Sequence, residues 1–529
     1  MRALSLYAKR FFSGTLLSRI SGMIRDLVMA FSFGDHPSVA AFMVAFRFSN
    51  LFRRLLGEGP FQSAFIPYFE GLRVQDSAKA TLFFRQLTLL IAALLVILII
   101  LGEGALWSSF FWLSEGNQEI AKLTSLLLPG LLFICLYGLN ISLLHCHDTF
   151  FIPSFAPFVC NLIWILGALF LRSQEATIAM PTLSWLIVIG FAGQWLLTLP
   201  PTLKHTSFRW KDWFHWSIPP EVKGLAKSFA FGAIGVGAVQ INAFIDAIFA
   251  RSADLRGPVY LWYSIRLEQL ALAIFGIACV STIVPRLSRA IKSGDLDSAQ
   301  AYFSFSFKRI LAVMIPCSLA LFVLGSGSVN LIYGRGHFSD LAVGQTTLCL
   351  WSYTLGLIPS TMVILFSSLF YARGDFKTPT LISVGSVLCN IALNTLFVFG
   401  LNLGAISTAL ATSFSAWVNF FILQKLAQKS GFVPTWNSFK TLHLTCAALC
   451  GLACSLCVEH LFFMPTTLPL LFGGNIVFAR NLGDQLLPVI ASSCAFLAGL
   501  WLYASLFKNR ELLELFQDFS PWKRRQLDS

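Results

Sequence analysis

Charge is what this sequence has least of. Asp, Glu, Lys and Arg together make up 12% of its 529 residues while 56% are apolar, against roughly 25% charged residues in an ordinary soluble protein. No soluble globule of this length has an interior that could hide so much apolar side chain. Catalytic signatures are lacking as well. The sequence contains no H-E-x-x-H, no G-x-S-x-G and no phosphate-binding loop, which excludes the metalloprotease, serine-hydrolase and ATP-driven classes those motifs serve. Any energy must then come from ion gradients, membrane potential or substrate supply. His145-x-His147-Asp148 is the one candidate metal or catalytic cluster, and with no second acid nearby in sequence it reads as a satisfied loop. Cys446, Cys450, Cys454 and Cys457 recur at helical spacing and read as small helix-packing residues, because structural zinc sites take their cysteines from loops or turns. Gly232, Gly235 and Gly237 sit in an apolar stretch and read as close helix packing too.

What is present is apolar sequence in lengths that suit a bilayer, about 20 residues per helix. Stretches free of Asp, Glu, Lys and Arg run over 86–102, 123–144, 149–171, 176–203, 228–245, 269–285, 310–334, 341–372, 378–424, 441–458 and 485–507. The stretch 378–424 divides at Gly400-Leu401-Asn402-Leu403-Gly404, a tight turn. Two further helical patterns, 11–35 and 38–68, are apolar but carry charges. The expectation is an all-α polytopic membrane protein of about fourteen transmembrane helices. Arg19, Arg25 and Asp26 interrupt the first of them too early for a signal peptide, so it is expected to be retained as a span.

The net charge of +13 is explained by topology rather than by nucleic acid, since cytoplasmic loops collect Lys and Arg. Most basic residues fall on one side if both termini are cytoplasmic. That arrangement puts Lys79, Arg209 and Lys292 inside and Lys122 and Arg335 outside.

A repeat divides the chain. Phe65-Ile66-Pro67 followed by Asp76-Ser77-Ala78 recurs as Ile283-Val284-Pro285 followed by Asp297-Ser298-Ala299, and His147-Asp148 through Asn161 is echoed by Gly374-Asp375 through Asn390. Each half holds six spans, an even number, so both enter the membrane in the same sense, as in transporters built from parallel repeats. The expected organisation is 1–203 as a first lobe, 204–224 as an interfacial linker, 225–427 as a second lobe and 428–529 as two extra helices and a cytoplasmic tail. Within the linker, Phe208, Trp210, Trp213, Phe214 and Trp216 among Arg209, Lys211 and Lys223 suit the headgroup layer.

Charges inside the spans carry the functional reading. Arg19, Arg25, Arg47, Arg53, Arg54 and Arg266 stand there with Asp26, Glu58, Asp246 and Glu268. An Arg at mid-bilayer costs about 2.5–3.5 kcal/mol on insertion scales, so these side chains face a water-filled cavity or one another. Arg54 and Glu58 are four apart and are expected to pair, while Arg47 falls near the headgroups. Arg53 and Arg266 remain as unpaired cations, and the five arginines of the first half outnumber its two acids. Such a cavity suits an anion. Guanidinium suits phosphate in particular, because its planar fork binds two oxygens at once. A weaker expectation is a candidate sodium site from Asp246, Asn390, Asn394 and Thr408, oxygen-bearing residues of three helices.

Three blocks of the N-terminal half carry a family resemblance: Leu17-Ser18-Arg19-Ile20-Ser21-Gly22-Met23-Ile24-Arg25-Asp26, then Ala41 through Arg47, then Asn50-Leu51-Phe52-Arg53-Arg54-Leu55-Leu56-Gly57-Glu58-Gly59. With Tyr263-Ser264-Ile265-Arg266-Leu267 and Tyr371-Ala372-Arg373-Gly374-Asp375, the sequence resembles the MurJ/MviN lipid II flippases of the multidrug/oligosaccharidyl-lipid/polysaccharide exporter superfamily. That resemblance implies a bacterial inner-membrane protein, not an enzyme. It would translocate an undecaprenyl-pyrophosphate-linked peptidoglycan precursor from the inner to the outer leaflet by alternating access. The alternative is export of another polyprenyl-linked oligosaccharide or a drug.

By the same resemblance Arg19, Arg25, Arg53 and Arg266 bind substrate, with Asp26, Arg54 and Glu58 gating or pairing, and the last two spans form a groove for the lipid tail. The implied partners are the lipid-linked precursor and membrane lipids, with a monomer as the acting form, other cell-wall proteins as further partners and no cofactor beyond the candidate sodium. Ala40 and Ile265 stand where family members often carry Asp.

Overall fold

The computed structural model describes residues 2–57, 59–206, 220–434, 438–474, 476–509 and 512–513. Among the described residues the secondary structure is entirely helical. Eleven helices are long and apolar enough to cross a membrane, and a pair bent by 46°, Gly116–Leu127 with Gly130–Cys146, makes a twelfth passage. Pro129 sits at that bend, where its missing N–H removes a helical hydrogen bond. The two remaining expected spans are helical as well, but their arginines keep them below that measure of apolarity. The structure thus carries eleven to twelve of the fourteen expected spans as apolar passages among the described residues.

The chain packs into two compact units, Met1–Arg251 and Ser252–Ser529. The first unit begins with α1 (Arg2–Phe33) and α2 (Pro37–Phe52). The expected continuous helix over 38–68 is broken: α2 ends in a π-helical turn, Arg53–Gly57, and α3 (Pro60–Gln75) starts anew. Gly59 has φ +65° and Pro60 opens α3. Glycine tolerates that left-handed φ, and proline at the first helical position loses no hydrogen bond.

Next come α4 (Ser77–Ser109), α5 (Glu115–Leu127), α6 (Gly130–Cys146), α7 (Phe151–Leu171), α8 (Ala176–His205) and α9 (Val222–Ala253). Helix α1 lies along α7, α7 along α8, and α8 against α6. Phe61, Phe65 and Phe69 of α3 form a core with Phe83 and Phe84 of α4, Leu136, Leu139 and Leu143 of α6, and Leu225 of α9. A Cβ on Gly232 would come within 3.3 Å of Pro60, and one on Gly237 within 3.5 Å of Leu55. Gly232 therefore serves close packing, as expected, whereas the contact at Gly237 is an ordinary one and Gly235 faces open space.

The outer faces identify the solvent. Only 6% of the most apolar window of α4 is buried, and Leu94, Ile97, Ile100 and Leu101 are exposed. Surface of that kind is stable against lipid and not against water.

The second unit comprises α10 (Gly257–Ala271), a π-helical turn Leu272–Ile277, α11 (Ala278–Lys292), α12 (Leu296–Tyr333), α13 (Asp340–Ala372), α14 (Lys377–Thr395), α15 (Ile406–Lys429), α16 (Ser438–Phe462), the short α17 (Thr467–Leu471) and α18 (Leu482–Leu506). Phe303, Phe307, Phe366 and Phe420 anchor its core. Helix α13 packs closely on α15, and α16 on α18.

The repeat is visible inside each unit. A helix, a π-helical turn, a proline-containing helix and an aspartate-capped helix follow in that order in both. Asp76 accepts from the Ala78 N–H at 2.8 Å to cap α4. The capping acid of α12 is Asp295, which accepts from the Ser298 N–H at 3.0 Å. The pairing of Asp76 with Asp297 is thereby corrected by two residues, because Asp297 already lies in the first turn of α12. Of the linker, 207–219 lies outside the described residues, and with it the aromatic cluster from Phe208 to Trp216.

Candidate functional site

The α1–α7 contact is polar at a depth where the rest of both helices is apolar. Asn161 on α7 donates through Nδ2 to Ser21 Oγ at 2.9 Å and to the Ser18 carbonyl at 3.2 Å. Its Oδ1 accepts from Arg25 Nη1 at 3.1 Å. Arg25 also pairs with Asp26, at 2.8 Å from Nη2 and 3.1 Å from Nε, and its guanidinium lies 4.5 Å above the ring of Trp164. One face is thus stacked and three donors are fixed, which leaves the Arg25 side chain 13% exposed. A buried cation needs this degree of partnership to remain charged.

The other expected ligands are placed differently. Arg19 is exposed on α1 and makes no hydrogen bond or ion pair among the described residues. Arg53 sits in the π-helical turn and donates through Nε to Asn50 Oδ1 at 2.8 Å. In the second unit Arg266 lies over the Trp262 ring at 4.7 Å. Arg53 and Arg266 are therefore not the unpaired cations that residue spacing alone suggests.

The pairing of Arg54 with Glu58 rests on a residue outside the described ones. Arg54 itself is exposed within the π-helical turn, where the i, i+4 spacing of an α-helix no longer applies. Arg47 reaches helix α9. Its Nη1 donates to the Ala243 carbonyl of α9 at 2.7 Å.

The residues of the candidate sodium site fall in both units. Asp246 accepts from Asn242 Nδ2 at 3.0 Å on α9. Asn394 donates to Asn390 Oδ1 at 2.6 Å, and Asn390 reaches Thr412 Oγ1 at 3.2 Å. Thr412 is thus the α15 hydroxyl that meets the asparagine pair, while Thr408 turns to the Ala405 carbonyl of its own helix at 3.4 Å. Ala40 is fully buried in α2. In the turn after α6, the His147 ring stacks on His205 with centroids 4.2 Å apart.

Sequence reasoning missed three partners. Asn161 stood out only as a repeat position, and Trp164 not at all, because contacts between α1 and α7 cross far-separated sequence. Arg251 is the third: nearly buried, it donates to the Pro37 carbonyl at 2.7 Å and lies 3.8 Å from Glu119.

The family described as "Lipid II flippase MurJ" matches residues 29–473. The probable lipid II flippase MurJ of Chlamydia muridarum is 33% identical over 97% of this chain and 96% of its own length. Among solved structures, a lipid II flippase MurJ in an inward closed conformation superposes with a TM-score of 0.73 at 24% identity, covering 94% of this chain and 99% of that one. An inward-facing multidrug resistance MATE transporter of the MOP superfamily shares the fold, with a TM-score of 0.62 at 13% identity over 80% of this chain and 98% of its own. With a family match over most of its length and a near full-length relative, the chain belongs to the lipid II flippase MurJ family.

Proposed function

We propose that this protein flips lipid II across the bacterial inner membrane, taking the undecaprenyl-pyrophosphate-linked precursor from the cytoplasmic to the outer leaflet by alternating access. As a multi-pass member of its family it is a transporter and not an enzyme. One observation carries the reading to the residue level: the Arg25 guanidinium is held inside a membrane helix pair by Asp26, Asn161 and Trp164. A cation fixed in that way is preorganised for an anionic ligand, and phosphate is the anion that a guanidinium fork matches best. Arg19, Arg53 and Arg266 complete the proposed set of pyrophosphate ligands.

Both termini are proposed to be cytoplasmic, which fits the basic residues at one end of successive spans. The acting form is proposed to be the monomer. The test is reconstitution in vesicles with fluorescent lipid II and a reagent that reads the outer leaflet. Protein-dependent exposure of lipid II, lost in Arg25→Ala, supports the reading. Equal movement of an undecaprenyl-linked oligosaccharide lacking the peptide would favour the broader exporter class, and no movement of lipid II would refute the proposal.

A further inference from the structure

The helix that follows the second π-helical turn presents two unlike faces. On α11, Val280, Ile283, Leu287 and Ala290 are buried in the core of the second unit. Ser281, Thr282, Pro285, Arg286, Arg289 and Lys292 are exposed. The three cations recur every third residue, so at 100° per residue they stay within about 120° of one another along the helix. Among the described residues none of the three side chains makes a hydrogen bond or ion pair with another residue.

The repeat supplies an internal comparison. In the first unit α3 buries Phe61, Ala64, Phe65, Phe69 and Leu72 and exposes Ser63, Pro67, Gly71 and Val74. Set on Pro67 and Pro285, these exposed positions correspond to Ser281, Pro285, Arg289 and Lys292. The same face is therefore neutral in one repeat and basic in the other. The arginine that α3 does carry, Arg73, is used internally, with Nη1 at 2.6 Å from the Cys146 carbonyl and 3.1 Å from Glu70. Packing does not require a basic face on such a helix, and α11 has one nonetheless.

Depth indicates what could meet it. Gly257–Lys292 is a single passage of 36 residues, about 54 Å at 1.5 Å per residue, against a hydrocarbon core of about 30 Å. The last two or three turns, which hold the three cations, lie beyond the hydrocarbon at the level of lipid phosphates.

We propose that the exposed face of α11 is a docking track for the pyrophosphate of the lipid-linked substrate, which is held by Arg286, Arg289 and Lys292 before it moves on to the arginine ligands proposed above. The inference rests on the lipid II reading above and adds a subsite to it. A guanidinium pair one turn apart suits a diphosphate better than a single phosphodiester, because two adjacent anionic groups can each take a fork.

The test uses the full chain in nanodiscs and vesicles, with the triple variant Arg286→Gln, Arg289→Gln, Lys292→Gln. Binding of lipid II and of undecaprenyl pyrophosphate should weaken by about tenfold or more. Retention of phosphatidylglycerol should stay within about twofold, while half-maximal flipping should require about tenfold more lipid II. Unchanged lipid II binding overturns the proposal, and so does a parallel loss of phosphatidylglycerol, which would mark the face as a general anionic-lipid contact. Arg289→Gln alone, at an exposed site, provides the same comparison if the triple variant is poorly produced. Wild-type protein that moves no lipid II would refute the function itself, whereas a wild type that flips and a triple variant that binds and flips normally would refute this subsite alone.

Discussion

Two buried arginines of the first unit have different partners, and their variants should fail differently. Arg25 is held by side chains, with a carboxylate, an amide and an indole around it. On the proposed role of Arg25, Arg25→Ala removes a charge-assisted contact to substrate, worth about 1.5–3 kcal/mol, or roughly tenfold to hundredfold in binding. Growth support in flippase-depleted cells should disappear while membrane abundance holds. Asn161→Ala keeps the charge and frees the side chain, so flipping should slow with a smaller loss than in Arg25→Ala. A variant Asn161→Ala as inactive as Arg25→Ala would show that the amide itself touches substrate.

Arg251 is tied instead to a backbone carbonyl and to Glu119. Arg251→Ala leaves that carbonyl and acid without their cation, and abundance should fall before the activity per molecule does. Immunoblots read alongside vesicle flipping rates distinguish the two. A charge inside an apolar span singled out Arg25 in the sequence. That signal could not show that α7 holds it, nor separate Arg25 from Arg251, because partnership between distant helices leaves no periodicity.

At the scale of the element, the sequence revealed apolar lengths far better than breaks within them. The end of the first apolar helix and the turn at Gly400–Gly404 were legible from composition and glycine. The π-helical turn at Arg53–Gly57 was not, since one inserted residue per turn changes register without changing hydropathy. The i, i+4 argument for Arg54 and Glu58 assumed an unbroken α-helix there, and Glu58 lies outside the described residues. The cysteine stripe of α16 had a clearer outcome. A Cβ on Gly499 of α18 would lie 2.8 Å from Cys454 Sγ, 3.0 Å from the Cys450 carbonyl and 3.0 Å from the Gly451 Cα, so the cysteines line a close helix crossing. Two of those neighbours are backbone and cannot rotate away. Gly499→Val should therefore lower the thermal stability of the purified protein by about 1–3 kcal/mol equivalent, the usual range for overpacking. Gly483→Ala on the same helix, with nothing within 4 Å of its Cβ, should be neutral or slightly stabilising. If both variants melt alike, the crossing is looser than these distances indicate.

For the whole molecule the decisive quantity is which side each connection faces. Spans alternate by necessity, so a single fixed connection orients all others, and the broken passage through α5 and α6 must count as one crossing for the alternation to hold. Counted so, Lys79, Lys292 and Phe376 share one side, and Trp112 and Met464 share the other. All five are exposed in connections or at helix ends. On the proposed topology the basic residues put the first group in the cytoplasm. In a background without the native cysteines, single cysteines at positions 112 and 464 should react with an impermeant maleimide added to intact spheroplasts. Those at 79, 292 and 376 should react only after lysis. Labelling of 79 together with 112 would mean that α4 does not cross. Labelling of 464 only after lysis, with 112 labelled before it, would place an odd number of crossings between them and remove one of the twelve apolar passages. The cytoplasmic side assigned to Lys292 also decides the fate of the α11 track: only if that end of the helix meets the leaflet where the precursor is made can its cations receive the pyrophosphate first.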